Sequence, residues 1–344
     1  PQVGYTITAD KVERLVLGWY LGTKGDVVTE PANPNDAREI TLVVESGEGV
    51  GSVASNLQRL GLVADADIFR RVVQYEGADG DIQAGVYTLR PNMTMQEITS
   101  ELQHGRLPSV AVTIPEGWRA EQIAEHLQEL EIVPADEFMA AVARGRSDFD
   151  FVQSRPEGAP ASLEGFLFPD TYQLPRQAGA DRVIEIMLRN WDARLSEKAR
   201  KLASEQDKTW YEIVTLASIV EREAVQANER AVIAGVYLNR LEIGMYLQAD
   251  PTVQYAKGYN PNTKRWWNPM LQEEANTVVS PYNTFQNPGL PPGPICNPGA
   301  AAILAALEPT ASDYLYFYAR GDGSHVFAKT FEEHLQNEAT FGKK

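Results

Sequence analysis

Two segments in the first half of the chain repeat each other, and any fold must house both copies. Segment 43–63 (VVESGEGVGSVASNLQRLGLV) superposes on segment 113–133 (TIPEGWRAEQIAEHLQELEIV) at one constant offset. Gly47 meets Gly117, Val53 meets Ile123, Ala54 meets Ala124, and Leu57, Leu60 and Val63 meet Leu127, Leu130 and Val133. Each copy reads as a short strand, a glycine turn and a helix with apolar residues at i, i+3, i+4 and i+7. Between them, Val86–Leu89 alternates as a strand, and Thr94 with Glu97 forms a capping box for a helix that Gly105 should stop. Nothing in 40–150 gathers an acid, a base and a nucleophile, so this half is expected to bind or to act as a spacer.

Composition closes off several chemistries. Thirty-one Lys and Arg against 47 Asp and Glu leave a net charge of −16, which disfavours nucleic acid and anionic lipid. With one cysteine, Cys296, the chain cannot form an internal disulfide or a thiolate metal cage. The four histidines lack metal-binding spacing, and there is neither a Walker loop nor a GxGxxG after a strand. No metal and no cofactor are expected. The longest apolar stretch near the start, Leu15–Tyr20, is far short of the ~20 residues that span a bilayer. Because the chain opens with Pro1, a removed upstream signal or anchor is expected.

Prolines and glycine in 156–160 mark a hinge. The aromatic segment 163–175 reads as packing, and 181–206 as one long amphipathic helix. Residues 211–240 read as helix, with an interruption near Gln226–Asn228. At 100° per residue Glu221 falls about 40° from Ala217, inside the apolar stripe, whereas Thr215 and Glu223 point well away. A carboxylate so placed has two outcomes. It pairs with a cation, for which Arg222, Arg230 and Arg240 are candidates, or its pKa rises and it becomes a general acid of the kind that protonates a glycosidic oxygen. A polar and aromatic cluster follows, comprising Asn239, Arg240, Gln248, Asp250, Thr252, Gln254 and Tyr255, then Trp266, Trp267 and the proline-rich 280–299. Sugar sites use such aromatics and amides, because a sugar ring has apolar faces and a hydroxyl edge.

SIVEREA, NRL, GMYLQADPTVQY, YNTF, GLPPGPICNPG and YLYFYARGDGSHVF, with GVYTLRPNMTMQEI and LEGFLFPDTY upstream, resemble the endolytic murein transglycosylase (MltG, YceG-like) family over roughly residues 40–340. Residues 259–279, which carry Trp266 and Trp267, lie outside the matching motifs. The resemblance implies an α+β fold: small repeated strand–helix, LysM-like modules followed by an α+β catalytic domain. The expected divisions are an N-terminal segment at 1–40, a first α/β module at 41–109, a second, LysM-like repeat at 110–155 and a catalytic domain at 160–344. It further implies a bacterial inner-membrane protein with a single-pass anchor, its active part outside the cytoplasm, with cell-wall synthases as partners.

The implied reaction cuts the MurNAc–GlcNAc β-1,4 bond within peptidoglycan strands and leaves a 1,6-anhydro end, limiting nascent strand length. Glu221 aligns with the family's catalytic glutamate. Asn239, Arg240, Gln248, Asp250, Tyr255, Tyr282, Asn283, Thr284 and His325 are expected to position the glycan. Two other readings stand beside this one: a muramidase-like hydrolase that adds Asp250, and a non-catalytic peptidoglycan-binding scaffold.

Overall fold

The computed structural model describes residues 9–45, 47–104, 109–146, 148–176, 178–206 and 208–342. Pro1 and Gly105, each given a meaning above, lie outside the described residues. The chain is a mixture of helices and small sheets that forms two compact units, Pro1–Ser109 and Val110–Lys344.

In the first unit the order is α1 (Ala9–Gly22), α2 (Gly25–Thr29), β1 (Ile40–Val44), α3 (Val50–Arg59), α4 (Ala66–Glu76), β2 (Gly85–Leu89) and α5 (Met95–Leu102). Strands β1 and β2 pair antiparallel, with Leu42 opposite Tyr87. Alternation sends Leu42, Val44, Tyr87 and Leu89 inward onto Val53, Leu57, Phe69, Val73 and Ile98. The expected capping box forms. Thr94 Oγ1 accepts the Glu97 N–H, and Glu97 Oε2 accepts the Thr94 N–H.

The boundary falls at the first residue of β3 (Ser109–Thr113), and the second unit continues with α6 (Ala120–Glu129), α7 (Ala135–Arg144), α8 (Asp150–Gln153), β4 (Thr171–Pro175), α9 (Ala180–Arg194), α10 (Glu197–Ser204) and α11 (Trp210–Glu223). A 3-10 turn at Ala227–Glu229 leads to α12 (Arg230–Glu242), α13 (Asp250–Lys257), α14 (Glu274–Thr277), α15 (Ala300–Leu307), β5 (Tyr316–Ala319), β6 (His325–Ala328) and α16 (Phe331–Phe341).

The repeat is visible in the backbone. In both copies a strand leads through a left-handed glycine (Gly47, φ 80°; Gly117, φ 77°) into a helix and then a second helix. The two copies are built into different surroundings. The strand of the first pairs with β2, whereas β3 pairs with β4, far along the chain. Residues 110–155, expected as a module apart, therefore share one continuous core with Phe166, Trp191, Val214, Ile219 and Ile303. Asn297 reinforces the join. Its N–H donates to Trp118 O (2.8 Å), and its Oδ1 accepts the N–H groups of Gly165 and Leu167 (both 2.9 Å).

Two helix readings resolve differently. The interruption near Gln226–Asn228 is present as the 3-10 turn. The single helix expected over 181–206 is two, because Leu195 turns extended and Ser196 caps a new start by accepting the Ala199 N–H. No helix among the described residues is long and apolar enough to cross a membrane.

Segment 163–175 packs as expected, and Gly165 shows how tightly. Its φ is +91°, and a Cβ there would fall 2.5 Å from Pro294 Cβ and 2.8 Å from Val214 Cγ1. Backbone strain and overpacking together should make Gly165→Ala cost about 3 kcal/mol. Denaturant unfolding measures this, and an unchanged midpoint would contradict the packing described.

Candidate active site

Helix α11 begins at a capping box: Thr209 Oγ1 accepts the Glu212 N–H (3.2 Å), and Glu212 Oε2 accepts the Thr209 N–H (2.8 Å). From Ile213 to Val220 every residue is buried, because α8, α12, α13 and α15 all pack on this helix. It therefore has no wet face. Thr215, expected to point away from the core, is buried and returns its hydroxyl to Tyr211 O (2.7 Å). The helix ends as Ala224 turns extended, so its last turn carries Glu221, Arg222 and Glu223. The two carboxylates, two residues apart, leave the axis about 200° apart.

Glu221 is engaged at both oxygens. Oε1 accepts from Arg230 Nη2 (3.3 Å), and Oε2 accepts the N–H of Gly299 (3.0 Å), the residue that caps α15. Its side chain is 6% exposed and that of Arg230 16%. A carboxylate at a helix start beside a guanidinium is electrostatically settled. Of the candidate cations, Arg230 is the one that meets Glu221, and its Nη2 also lies 4.0 Å from Glu116 Oε2.

Glu223 has a different setting. It lines a cavity of about 380 Å³ together with Tyr237, Gln248, Asp250, Tyr316, Tyr318 and His325. Tyr237 Oη donates to its Oε1 (2.7 Å). Burial pushes the Glu223 carboxyl up to about 7, and the negative charge of Asp250 adds to the rise. The Tyr237 hydrogen bond, Arg240 and Arg222 pull the other way without cancelling it. Asp250 is open to the cavity yet surrounded by protein, which raises its carboxyl too. Glu229 clamps His325, accepting its backbone N–H (3.0 Å) and lying 2.8 Å from ring Nδ1. A carboxyl that is half protonated near neutrality, in a cavity of ligand size, can deliver a proton and take one back.

With this geometry in hand, similarity to known proteins decides the family. The YceG-like family model matches residues 42–340. The chain belongs to the YceG-like family. It is 33% identical over 334 residues to the endolytic murein transglycosylase of Streptococcus pneumoniae serotype 2 (strain D39), covering 90% of this chain and 59% of that protein. To the endolytic murein transglycosylase of Bacillus subtilis strain 168 it is 31% identical over 325 residues, covering 90% of this chain and 87% of that protein. This chain thus spans 59% of the length of its pneumococcal relatives. A solved yceG-like protein from Listeria monocytogenes has a TM-score of 0.57 and 31% identity, covering 87% of this chain and 99% of that chain.

Within this YceG-like chain the expected site residues separate. Arg240, Gln248, Asp250 and His325 line the Glu223 cavity. Gln248 does so from a left-handed backbone, φ 51°. Arg240 is also a strut, donating to the carbonyls of Leu315 and Leu247. The others hold loops. Asn239 Nδ2 donates to Ser312 O and Tyr314 O (2.8 and 2.9 Å), and buried Asn283 donates to Ala275 O and Val278 O (3.1 and 2.8 Å). Thr284 Oγ1 accepts the Ala249 N–H (3.0 Å). Tyr255 and Tyr282 pack against each other, with the Arg119 guanidinium 4.0 Å over the Tyr255 ring. Sequence reasoning passed over Glu223, Tyr237, Tyr316 and Glu229. The Tyr316/Tyr318 alternation on one strand face was a usable signal for part of this cavity wall.

The two glutamates should differ in what they do for stability. Removing the Glu221 charge leaves Arg230 with only its longer contact to Glu116 (4.0 Å) and weakens the α15 cap, so Glu221→Gln should cost about 2 kcal/mol. Glu223 has a folded pKa raised above the unfolded value. Its contribution is favourable below the unfolded value near 4.5 and is lost as pH rises through about 7. At pH 8 Glu223→Gln should therefore melt no lower than the parent, while Glu221→Gln melts clearly lower. Equal losses in both variants would contradict the assignment.

Proposed function

We propose that this chain is the cutting part of an endolytic murein transglycosylase, and that Glu223 rather than Glu221 handles the proton. The observation that carries this reading is the contrast just described: Glu221 has both oxygens committed, whereas Glu223 faces a ligand-sized cavity with its carboxyl raised to about 7. The names and lengths matched by the relatives supply the substrate class, peptidoglycan glycan strands.

In the proposed reaction protonated Glu223 donates to the oxygen of the MurNAc–GlcNAc β-1,4 bond as that bond breaks and positive charge grows on the MurNAc ring. Asp250, on the same cavity, opposes that charge. The Glu223 carboxylate then takes the proton from the 6-hydroxyl of the same MurNAc, whose oxygen bonds to the anomeric carbon. The ends are a 1,6-anhydroMurNAc and a free GlcNAc 4-hydroxyl, no water is consumed, and Glu223 regains its proton. His325, held by Glu229, and Gln248 are positioned to hydrogen-bond the sugar. A hydrolase reading keeps one supporting observation, since Asp250 lines the same cavity and would serve there as the second carboxylate.

The finer family expectations belong to the same proposal. The strand–turn–helix repeats act as LysM-like modules that hold glycan. The protein is anchored in the bacterial inner membrane through a single span, works outside the cytoplasm and meets cell-wall synthases there. The resemblance in motifs supports these readings.

The test is cleavage of uncrosslinked glycan strands as a function of pH. Glu223→Gln should slow it by at least about 100-fold. In the parent the rate should fall as pH rises through about 7, as Glu223 loses its proton. Asp250→Asn removes a charge that raises this pKa, so the falling limb should move to lower pH. Tyr237→Phe removes a hydrogen bond that lowers it, so the limb should move to higher pH. Full activity in Glu223→Gln, or limbs that move together, would overturn the assignment; a fully functional but non-cleaving chain would favour the scaffold.

A further inference from the structure

A second cavity, of about 400 Å³, lies between α6 and the segment 259–267, the part of the chain outside the family motifs. Its walls are aromatic: Trp118, Tyr259, Trp266 and Trp267. These rings are held by their edges and backs. Trp266 Nε1 donates to Glu125 Oε2 (3.0 Å), and Trp267 Nε1 donates to Gln122 Oε1 (2.9 Å). The Arg222 guanidinium stacks 4.0 Å over the Trp267 ring, and that of Arg119 lies 4.8 Å from the Trp266 ring. Tyr259 leans on Trp266 with ring centroids 5.2 Å apart and is 44% exposed. The segment keeps its shape by pairing Asn260 with Arg265, whose carbonyl accepts the Asn260 N–H (2.9 Å).

Trp118, Trp266 and Trp267 are partly buried and Tyr259 is exposed, so the groove presents aromatic surface that a ligand can cover. The rim narrows what that ligand is. Gln122, Glu125 and Glu129 stand beside the rings with carboxylate and amide groups, and Lys264, Arg265 and His126 complete the lining, so hydrogen-bonding groups of both kinds surround the aromatic walls. A neutral pyranose fits both features: its C–H face stacks on an aromatic ring while its hydroxyls donate to carboxylate and amide oxygens. The Glu223 cavity is about the same size, so a strand cut in its interior must run beyond it. Arg222 joins the two regions. It sits next to Glu223 on α11, and its guanidinium forms the backing of Trp267.

We propose that this aromatic groove is a glycan subsite that takes a pyranose ring of the strand outside the Glu223 cavity. The proposal rests on the glycan reading of that cavity. It also gives a role to Trp266, Trp267 and Tyr259, which the family motifs leave unexplained.

The test is the dissociation constant for a β-1,4-linked N-acetylglucosamine hexasaccharide and for uncrosslinked glycan strands, measured by calorimetry in the Glu223→Gln chain so that nothing is cut. Adding Trp266→Ala should weaken binding about tenfold, the equivalent of ~1.4 kcal/mol. Tyr259→Ala, at an exposed position that leaves the core alone, should weaken it about fivefold. Binding within twofold of the parent in both variants would overturn the subsite, as would failure of the parent itself to bind either glycan. Cleavage by the unmutated chain is scored separately. Cleavage with unaltered binding in the groove variants removes the subsite and leaves the enzyme. Weakened binding in those variants without any cleavage keeps the subsite and removes the enzyme.

Discussion

A carboxylate taken out of water must find a compensating partner or keep its proton, and the centre of the second unit is arranged around that constraint. Helix α11 is enclosed on all sides, so both glutamates of its last turn meet low-dielectric surroundings. Glu221 meets a guanidinium and a helix start, with both oxygens accepting hydrogen bonds. Glu223 is buried beside the charge of Asp250, and together these raise its carboxyl to about 7 against the opposing pull of the Tyr237 hydrogen bond. One turn of helix thus places two chemically identical side chains in different settings.

The same constraint recurs where the second repeat joins the rest of its unit. Buried Glu164 caps α6 by accepting the Ala120 N–H at both oxygens (3.1 and 3.0 Å) and takes a third hydrogen bond from Asn297 Nδ2 (2.8 Å). Burial still pushes its carboxyl up to about 8, with the Glu121 charge adding to the rise. Asn297 also binds Trp118 and the backbone after Gly165, so a single amide ties the repeat, the aromatic segment and the loop before α15. The Glu223 cavity draws its walls from α12, the start of α13 and the β5–β6 hairpin, which makes its shape a product of this whole unit.

Much of this was legible in the residues. The repeat with its two glycine turns, the capping box at Thr94 and Glu97, the break after α11 and the packing role of 163–175 all follow from local rules that the surroundings do not override. The choice between Glu221 and Glu223 does not follow from such rules. A helical wheel assumes one wet face, and α11 has none, so angle from Ala217 says nothing about which carboxylate meets solvent. Amides misled for a related reason. Asn239 and Asn283 have the chemistry to hold a sugar, but each spends it on two carbonyls of a neighbouring loop. The split of 181–206 at Ser196 was missed because the apolar stripe continues across the break, while the cap that makes it is one hydroxyl.

The central claim, that a single cavity carboxyl does both halves of the proton work, is tested most directly by mass spectrometry of glycan ends released from purified strands in ¹⁸O-labelled water. The account predicts ends one water lighter than reducing ends, free of the label, and lost in Glu223→Gln while Glu221→Gln still produces them. Reducing ends that carry the label would contradict it, and would make Asp250 the residue that activates water.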